Sequence, residues 1–270
     1  MTAKTDRTDW IEANGAVLRY RISGEGPTTL VLVHELGGSL DSWDEVEPAF
    51  AAKMRVLRYD QRGFGQSEKM RGEASIERTA EDLVALLDAL GINGPVDLAG
   101  SALGSATCVV TAARFPTRVR RLALTSPATG GSAPERQAEL RARAEATEKA
   151  GMRSITDQSL AVSFPEEIRR DPVAFQRYRM RWLANDPGSF AATSRMMAGM
   201  AIAPLFAQIQ APTLVLAGRM DRVRPWSVIE ELSRTMPRAT YRTVEASHFM
   251  GVQHPEVFTA EVLPFLTAQG

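Results

Sequence analysis

The sequence predicts an α/β protein: a parallel sheet covered on both faces by helices, with a helical block inserted between two of its strands. Three observations predict it. Short apolar, β-branched runs alternate with amphipathic stretches from Thr29 to Thr125. The alternation stops between about Pro127 and Gln208, where the chain is strand-poor and rich in charge and methionine. It resumes at Thr213 and continues to a closing helix. Strands that alternate with helices form parallel pairs, because the crossover must cover the sheet.

The elements follow in order. Asp9–Asn14 and Val17–Ile22 flank Asn14-Gly15, a dipeptide that accepts the positive φ of a tight hairpin. Thr29–Val33 reads as a buried strand, followed by a polar loop and a helix over roughly Ser42–Lys53. Arg55–Tyr59 is the next strand. Ser75–Leu90 is an amphipathic helix that Gly91 ends. Val96–Ala99 is a strand that runs through a glycine-containing turn into the apolar helix Leu103–Phe115. Val119–Thr125 is a strand again. After the strand-poor block come the strand Thr213–Ala217, a helix near Trp226–Met236, the strand Thr240–Val244 and a helix from about Pro255. Residues 1–126 and 209–270 therefore form the expected core, and residues 127–208 a helical cap punctuated by Pro165, Pro172, Pro187 and Pro204. In a parallel sheet the site lies beyond the carboxyl ends of the strands, so an insertion there would roof it.

Composition narrows the function classes. The 270 residues are 44% apolar and 24% charged, ordinary for a folded enzyme. Lys+Arg and Asp+Glu balance at 32 each, so no global field favours nucleic acid or an anionic membrane. A single cysteine, Cys108, rules out a disulfide framework and a cysteine zinc site. Met1 to Trp10 is polar, and no run is long and apolar enough to span a bilayer, which makes a soluble cytoplasmic location the expectation. The expected partner is a small-molecule substrate, bound by a monomer or homodimer.

Four segments carry a resemblance. Val33-His34-Glu35-Leu36-Gly37-Gly38 follows the third strand. Asp60-Gln61-Arg62-Gly63-Phe64-Gly65-Gln66-Ser67 follows the fourth. Gly100-Ser101-Ala102-Leu103-Gly104 follows the fifth. Gly218-Arg219-Met220-Asp221 and Ser247-His248-Phe249 each follow a late strand. Together these segments resemble the α/β-hydrolase family over nearly the whole chain apart from the cap. The resemblance implies a mostly parallel central sheet of about eight strands, a nucleophile elbow at residues 100–104, and an oxyanion hole from the backbone N–H groups of Leu36 and Leu103, with His34 beside it. Glu35 stands where the family has glycine.

The elbow departs from the family in one atom. The pattern Gly-x-Ser-x-Gly places serine on a strained strand-to-helix turn. Gly100 and Gly104 set the register, which puts Ala102 at the nucleophile position. The register Ala99 to Leu103 would centre Ser101 but lose both glycines. Alanine at 102 is either native or a Ser→Ala change that would trap substrate on an ordinary serine hydrolase. The proposed aminoacrylate hydrolase branch of the family has a similar Gly-x-Ala-Leu-Gly turn, which favours a native alanine.

Asp221 and His248 follow the elbow in the order acid then histidine that this fold uses, and so read as a catalytic pair rather than as a loop cap and a core histidine. His34 has a plainer reading, ordering its own loop. His254 reads as a surface or capping residue, and Cys108 as a buried inert thiol. Arg177, Arg179 and Arg181 could fork a substrate carboxylate, but a solvated helix face explains them better. Met196, Met197 and Met200 fit either an adaptable pocket or cap–core packing. No metal or cofactor is implied, because His34, His248 and His254 form no ligand cluster with cysteine or carboxylates.

Without the serine hydroxyl, a histidine base and an oxyanion hole remain. The expectation is general-base activation of water against a reactive substrate: an enamine or imine, a carbamate, an activated ester or lactone, or a diketone cleaved at carbon–carbon. Two other classes share the fold, a cofactor-free oxygenase and a small-molecule receptor. Oxygen consumption would identify the first. Retention of both Asp221 and His248 argues against the second.

Overall fold

The computed structural model describes residues 6–130 and 133–268. The strands are β1 (Asp6–Ala13), β2 (Ala16–Ser23), β3 (Thr29–Val33), β4 (Arg55–Tyr59), β5 (Val96–Ser101), β6 (Val119–Thr125), β7 (Thr213–Gly218) and β8 (Ala239–Val244). They form one eight-stranded sheet in the order β1-β2-β4-β3-β5-β6-β7-β8. β1, β2 and β4 pair antiparallel, and every other neighbouring pair is parallel. The first pair is the expected hairpin, with Asn14 and Gly15 both at positive φ in its turn. Of the inner strands, β3, β5 and β7 are buried along their whole length, as crossover helices on both faces require.

Side chains alternate between two cores along each inner strand. Val31, Val33, Leu98, Leu122, Leu124 and Val215 face one core. The helices α2 (Ile76–Ala89), α3 (Leu103–Arg114) and α9 (Trp226–Ser233) pack on that side. Leu30, Leu32, Ala99, Ala123, Leu214 and Leu216 face the other. That core is closed by Trp43, by Phe50 of α1 (Glu47–Ala51), and by Phe258 and Val262, with the short α10 (Met250–Gln253) leading into the closing helix, α11 (Pro255–Thr267).

Most boundaries match the sequence expectation within a few residues. α2 begins at its Ser75 cap, whose hydroxyl accepts the Arg78 N–H, and the chain turns at positive φ in Gly91. One element differs. The helix expected over Ser42–Lys53 is a 3-10 turn at Leu40–Trp43 followed by the separate α1. The reason is local: Pro48 lies in the first turn of α1, where its missing N–H costs nothing, so it starts a helix rather than continuing one.

Between β6 and β7 lie α4 (Pro134–Ala150), α5 (Thr156–Ser163), α6 (Pro172–Leu183), α7 (Pro187–Gly199) and α8 (Ala203–Phe206), with no strand among the described residues. The prolines that punctuate this block are helix starts. Pro172 follows the cap Asp171, which accepts the N–H groups of Val173 and Ala174, and Pro187 follows Asp186, which accepts that of Ser189. The block is held to the β3–α1 loop by polar contacts. Asn185 Nδ2 donates to Gly37 O at 3.0 Å, Arg181 Nη1 to Asp41 O at 3.1 Å, and the Tyr178 hydroxyl to Glu35 Oε1 at 2.9 Å. Glu35 also accepts from Ser42 Oγ at 2.9 Å, so this buried carboxylate joins the loop to α6. Among the described residues no helix is long and apolar enough to cross a membrane.

Candidate active site

The turn from β5 into α3 is tightly constrained backbone. A Cβ on Gly104 would lie 2.0 Å from Val33 O and 2.6 Å from His34 O. A Cβ on Gly100 would lie 2.6 Å from the backbone of Gly104 and Ser105. Only glycine fits at either place, so the register centred on residue 102 is the one the packing permits. Ala102 itself has φ 50° and ψ −105°, a conformation that costs an L-residue roughly 1–3 kcal/mol. It is held there by its N–H donating to Thr125 O at 2.9 Å and by its carbonyl, which accepts the N–H groups of Ala128 at 3.1 Å and Ala106 at 3.3 Å. Ser101, centre of the alternative register, is buried and does not line the cavity described below.

The loops after β7 and β8 pass in contact. A Cβ on Gly218 would meet Ala246 O at 2.3 Å, and Met220 N–H donates to Ala246 O at 3.0 Å. This approach brings Asp221 Oδ2 to 2.8 Å from His248 Nδ1. A carboxylate only accepts, so Nδ1 carries the proton and Nε2 is left as the basic atom. Asp221 Oδ2 also accepts from Ser126 Oγ at 2.7 Å, and Oδ1 accepts the N–H groups of Val223 at 2.8 Å and Arg224 at 2.9 Å. Burial pushes this carboxyl up, but the His248 charge, the hydrogen bonds from His248 and Ser126, and the Arg224 N–H outweigh it. The group lies below its ordinary value of 3.8.

Ala102, Leu36, Leu103, Ser126 and His248 all line one cavity of about 840 Å³, whose wall also includes Leu140, Ile155 and Trp182 of the helical block. The N–H of Leu103 is at the first position of α3, and neither it nor the N–H of Leu36 has a partner among the described residues. Phe249 packs on the His248 ring at 4.7 Å between centroids.

The cavity brings together His248, Ala102, Leu36 and Leu103, with Asp221 behind His248 and off the wall, but not His34. Expected beside the oxyanion site, His34 is fully buried away from the cavity wall, with both ring nitrogens occupied. Nδ1 lies 2.7 Å from Glu35 O and Nε2 accepts the Gln61 N–H at 3.0 Å, so His34 ties the β3 loop to the β4 loop. His254 is corrected as well. It is fully buried, not a surface residue, and although it stands at the start of α11 its side chain caps nothing, because α10 turns it inward. Of the three arginines considered for a substrate carboxylate, Arg179 pairs with Asp157 at 2.7 Å and Arg181 binds the Asp41 carbonyl, while Arg177 is exposed; none lines the cavity. Met197 lines it, whereas Met200 is buried against Gly130. Cys108 is buried, and burial pushes its thiol far up.

Sequence reasoning missed Ser126. Its signal was present, a hydroxyl directly after a buried strand, but only the β6–β7 adjacency shows that it meets Asp221. It also missed Arg143 and Arg224 on the cavity wall, which no motif marks.

The comparisons agree with this architecture. Residues 28–255 match the model of the alpha/beta hydrolase fold family. The chain is 27% identical over 256 residues to 3-oxoadipate enol-lactonase 2 of Acinetobacter baylyi, covering 94% of each chain. It is 29% identical over 272 residues to the 2-hydroxy-6-oxononadienedioate/2-hydroxy-6-oxononatrienedioate hydrolase of Paraburkholderia xenovorans, covering 94% of this chain and 92% of that one. The crystal structure of the enol-lactonase from Burkholderia xenovorans superposes with a TM-score of 0.90 at 30% identity, over 96% of this chain and all of that one. With an eight-stranded sheet of the same kind and a matched segment covering most of its length, the chain belongs to the alpha/beta hydrolase fold family.

Proposed function

We propose that the chain hydrolyses a small reactive substrate through water activated by His248, without a covalent acyl-enzyme. The observation that carries the proposal is an intact Asp221–His248 pair opening onto the same cavity as a nucleophile position that has no hydroxyl. The substrate's acyl carbon sits over Ala102. Water oxygen bonds to that carbon while His248 Nε2 takes its proton, and Asp221 stabilises the imidazolium. The negative charge moves to the former carbonyl oxygen, where the N–H groups of Leu36 and Leu103 hold it. Collapse breaks the bond to the leaving group, which recovers the proton from His248, so the base is regenerated. Ser126 holds Asp221, and Asp221 holds the imidazole tautomer.

Substrates whose leaving group departs easily suit a neutral water nucleophile: an enol lactone or activated ester, a carbamate, or a diketone cleaved at carbon–carbon; an imine, or an enamine through its imine tautomer, instead adds the water at its C=N carbon, and the nitrogen takes up the protons and leaves as ammonia. The enol-lactonases among the relatives support the lactone member of this set. Residues 127–208 act as the cap that roofs the site, on a core of residues 1–126 and 209–270.

A second reading, an ordinary serine hydrolase whose serine has been replaced, is favoured by the Ala102 backbone, which keeps the strained geometry that aims a hydroxyl. Two variants on one turned-over ester separate the readings. With water as nucleophile, His248→Ala loses about 10²–10⁴ in kcat, and Ala102→Ser neither accelerates turnover nor takes up a serine-directed phosphonate. A gain of several orders of magnitude together with covalent labelling establishes the serine hydrolase instead. Oxygen uptake with turnover identifies the oxygenase, and turnover unchanged in His248→Ala refutes both hydrolytic readings.

A further inference from the structure

The cavity wall holds more positive charge than it neutralises. Among the arginines lining it, Arg136 pairs with Glu139 at 2.9 Å and Arg222 pairs with Glu167. Arg143 on α4 and Arg224 in the loop after β7 form no ion pair among the described residues. Arg224 donates only to Thr129 Oγ1, at 3.1 Å, from its side chain. Arg143 lies over the Phe190 ring at 5.5 Å, and its Nε and Nη2 are shielded from solvent with no hydrogen-bond acceptor. Arg136, Arg143 and Arg224 all line the cavity, and the charge of Arg136 acts on the other two. Burial, reinforced by Arg136 and partly offset by Glu139, pushes Arg143 down to about 10. Burial also lowers Arg224, against the pull of Asp221. The acids nearby are already engaged, Glu139 by Arg136 and Asp221 by His248.

Both arginines are half-buried, and the shielded, unpartnered nitrogens of Arg143 are costly unless something brings them an acceptor and a counter-charge. A carboxylate matches the guanidinium fork. The wall also carries an apolar group, Leu140, Ile155, Trp182 and Met197, against which a hydrocarbon stem can pack, beside the polar Ser154, Gln158, Ser159 and Ser163. We infer that Arg143 and Arg224 form a subsite for a carboxylate on the substrate, separate from the bond that is cleaved, so that the enzyme acts on small anionic molecules with an apolar stem. This rests on reading the cavity as the substrate site.

The test measures binding without turnover. Hexanoate, 1-hexanol and hexyl phosphate share a stem and differ in the head group, and each is titrated calorimetrically into the wild-type protein and the variants. Hexanoate is expected to bind wild type about tenfold or more tighter than 1-hexanol, the value of one charge-assisted contact. Arg143→Met is expected to remove most of that difference while leaving 1-hexanol affinity unchanged. Arg143→Lys restores part of it, and Arg224→Met weakens hexanoate independently. Equal binding of hexanoate and 1-hexanol, tighter binding of hexyl phosphate, or full hexanoate affinity in Arg143→Met overturns the inference. The head-group series on wild type stands if a variant fails to fold. The titrations read binding alone and the turnover of His248→Ala reads the chemistry alone, so failure of the hydrolytic reading and failure of the carboxylate subsite give different results.

Discussion

Replacing Asp221 with asparagine tests the site at its most connected atom. Oδ1 accepts two backbone N–H groups, at 2.8 Å from Val223 and 2.9 Å from Arg224, so the amide oxygen of asparagine takes that side. The amide nitrogen then occupies the Oδ2 position, 2.8 Å from His248 Nδ1 and 2.7 Å from Ser126 Oγ. Ser126 can rotate its hydroxyl to accept. His248 must move its proton from Nδ1 to Nε2 to accept as well, which makes Nε2, the atom required as base, a donor. General-base help contributes about 10²–10⁴, or about 3–5 kcal/mol of barrier, and this change removes it with almost no change in shape. The expected result is a fall of that size in kcat/KM on an activated ester or enol lactone, with an unchanged melting temperature. Nitrogen-15 spectra of the imidazole should report the proton on Nδ1 in the wild type and on Nε2 in Asp221→Asn. A variant that keeps kcat/KM within about threefold of wild type (under 1 kcal/mol of barrier) while the tautomer switches would refute the base assignment. An unswitched tautomer would refute the hydrogen-bond argument beneath it.

Further outcomes follow from packing and burial. Gly104→Ala pushes a Cβ to 2.0 Å from the backbone oxygen of Val33, a buried residue of β3 paired with Gly100, so it should destabilise by about 3 kcal/mol or more and lower the melting temperature by roughly 6 °C or more. Gly94→Ala meets open space and is the control; equal melting temperatures for the two would overturn the elbow packing. Burial, reinforced by Arg170 and opposed by Glu256, lowers the fully buried His254 below its ordinary 6.5, so as the pH falls through that value the unfolded chain takes up a proton that the folded chain resists. Stability is lost on that descent, until the folded pKa is passed. Urea midpoints at about pH 7.5 and pH 5.5, either side of the ordinary histidine value, should therefore drop less in His254→Gln than in wild type, and an equal drop would show that His254 carries no such linkage.

Several features were legible in the residues because their causes are local or strictly periodic. The Asn14-Gly15 hairpin, the Ser75 cap and Gly91 stop, the proline-started helices and the buried strands all follow from backbone preference and hydrophobic spacing. The order Ala102, Asp221, His248 was equally readable, because each follows a strand that ends at one edge of the sheet. The break between the 3-10 turn and α1 was signalled by Pro48, and the sequence reading ran a single helix through it.

What the chain alone determined is the set of elements, the fold class and the absence of a hydroxyl at residue 102. Propensity, periodicity and the two elbow glycines act within a few residues of one another. What only the tertiary structure decided is partnership across long separations: Ser126 on Asp221, Glu35 on Tyr178, His34 closed off by Glu35 and Gln61, and Arg143 left without an anion. Hydrogen bonds and charges act over a few ångströms in space whatever their distance along the chain. Which polar groups are satisfied, and which wait for a ligand, is therefore set by the order in which the strands are laid side by side.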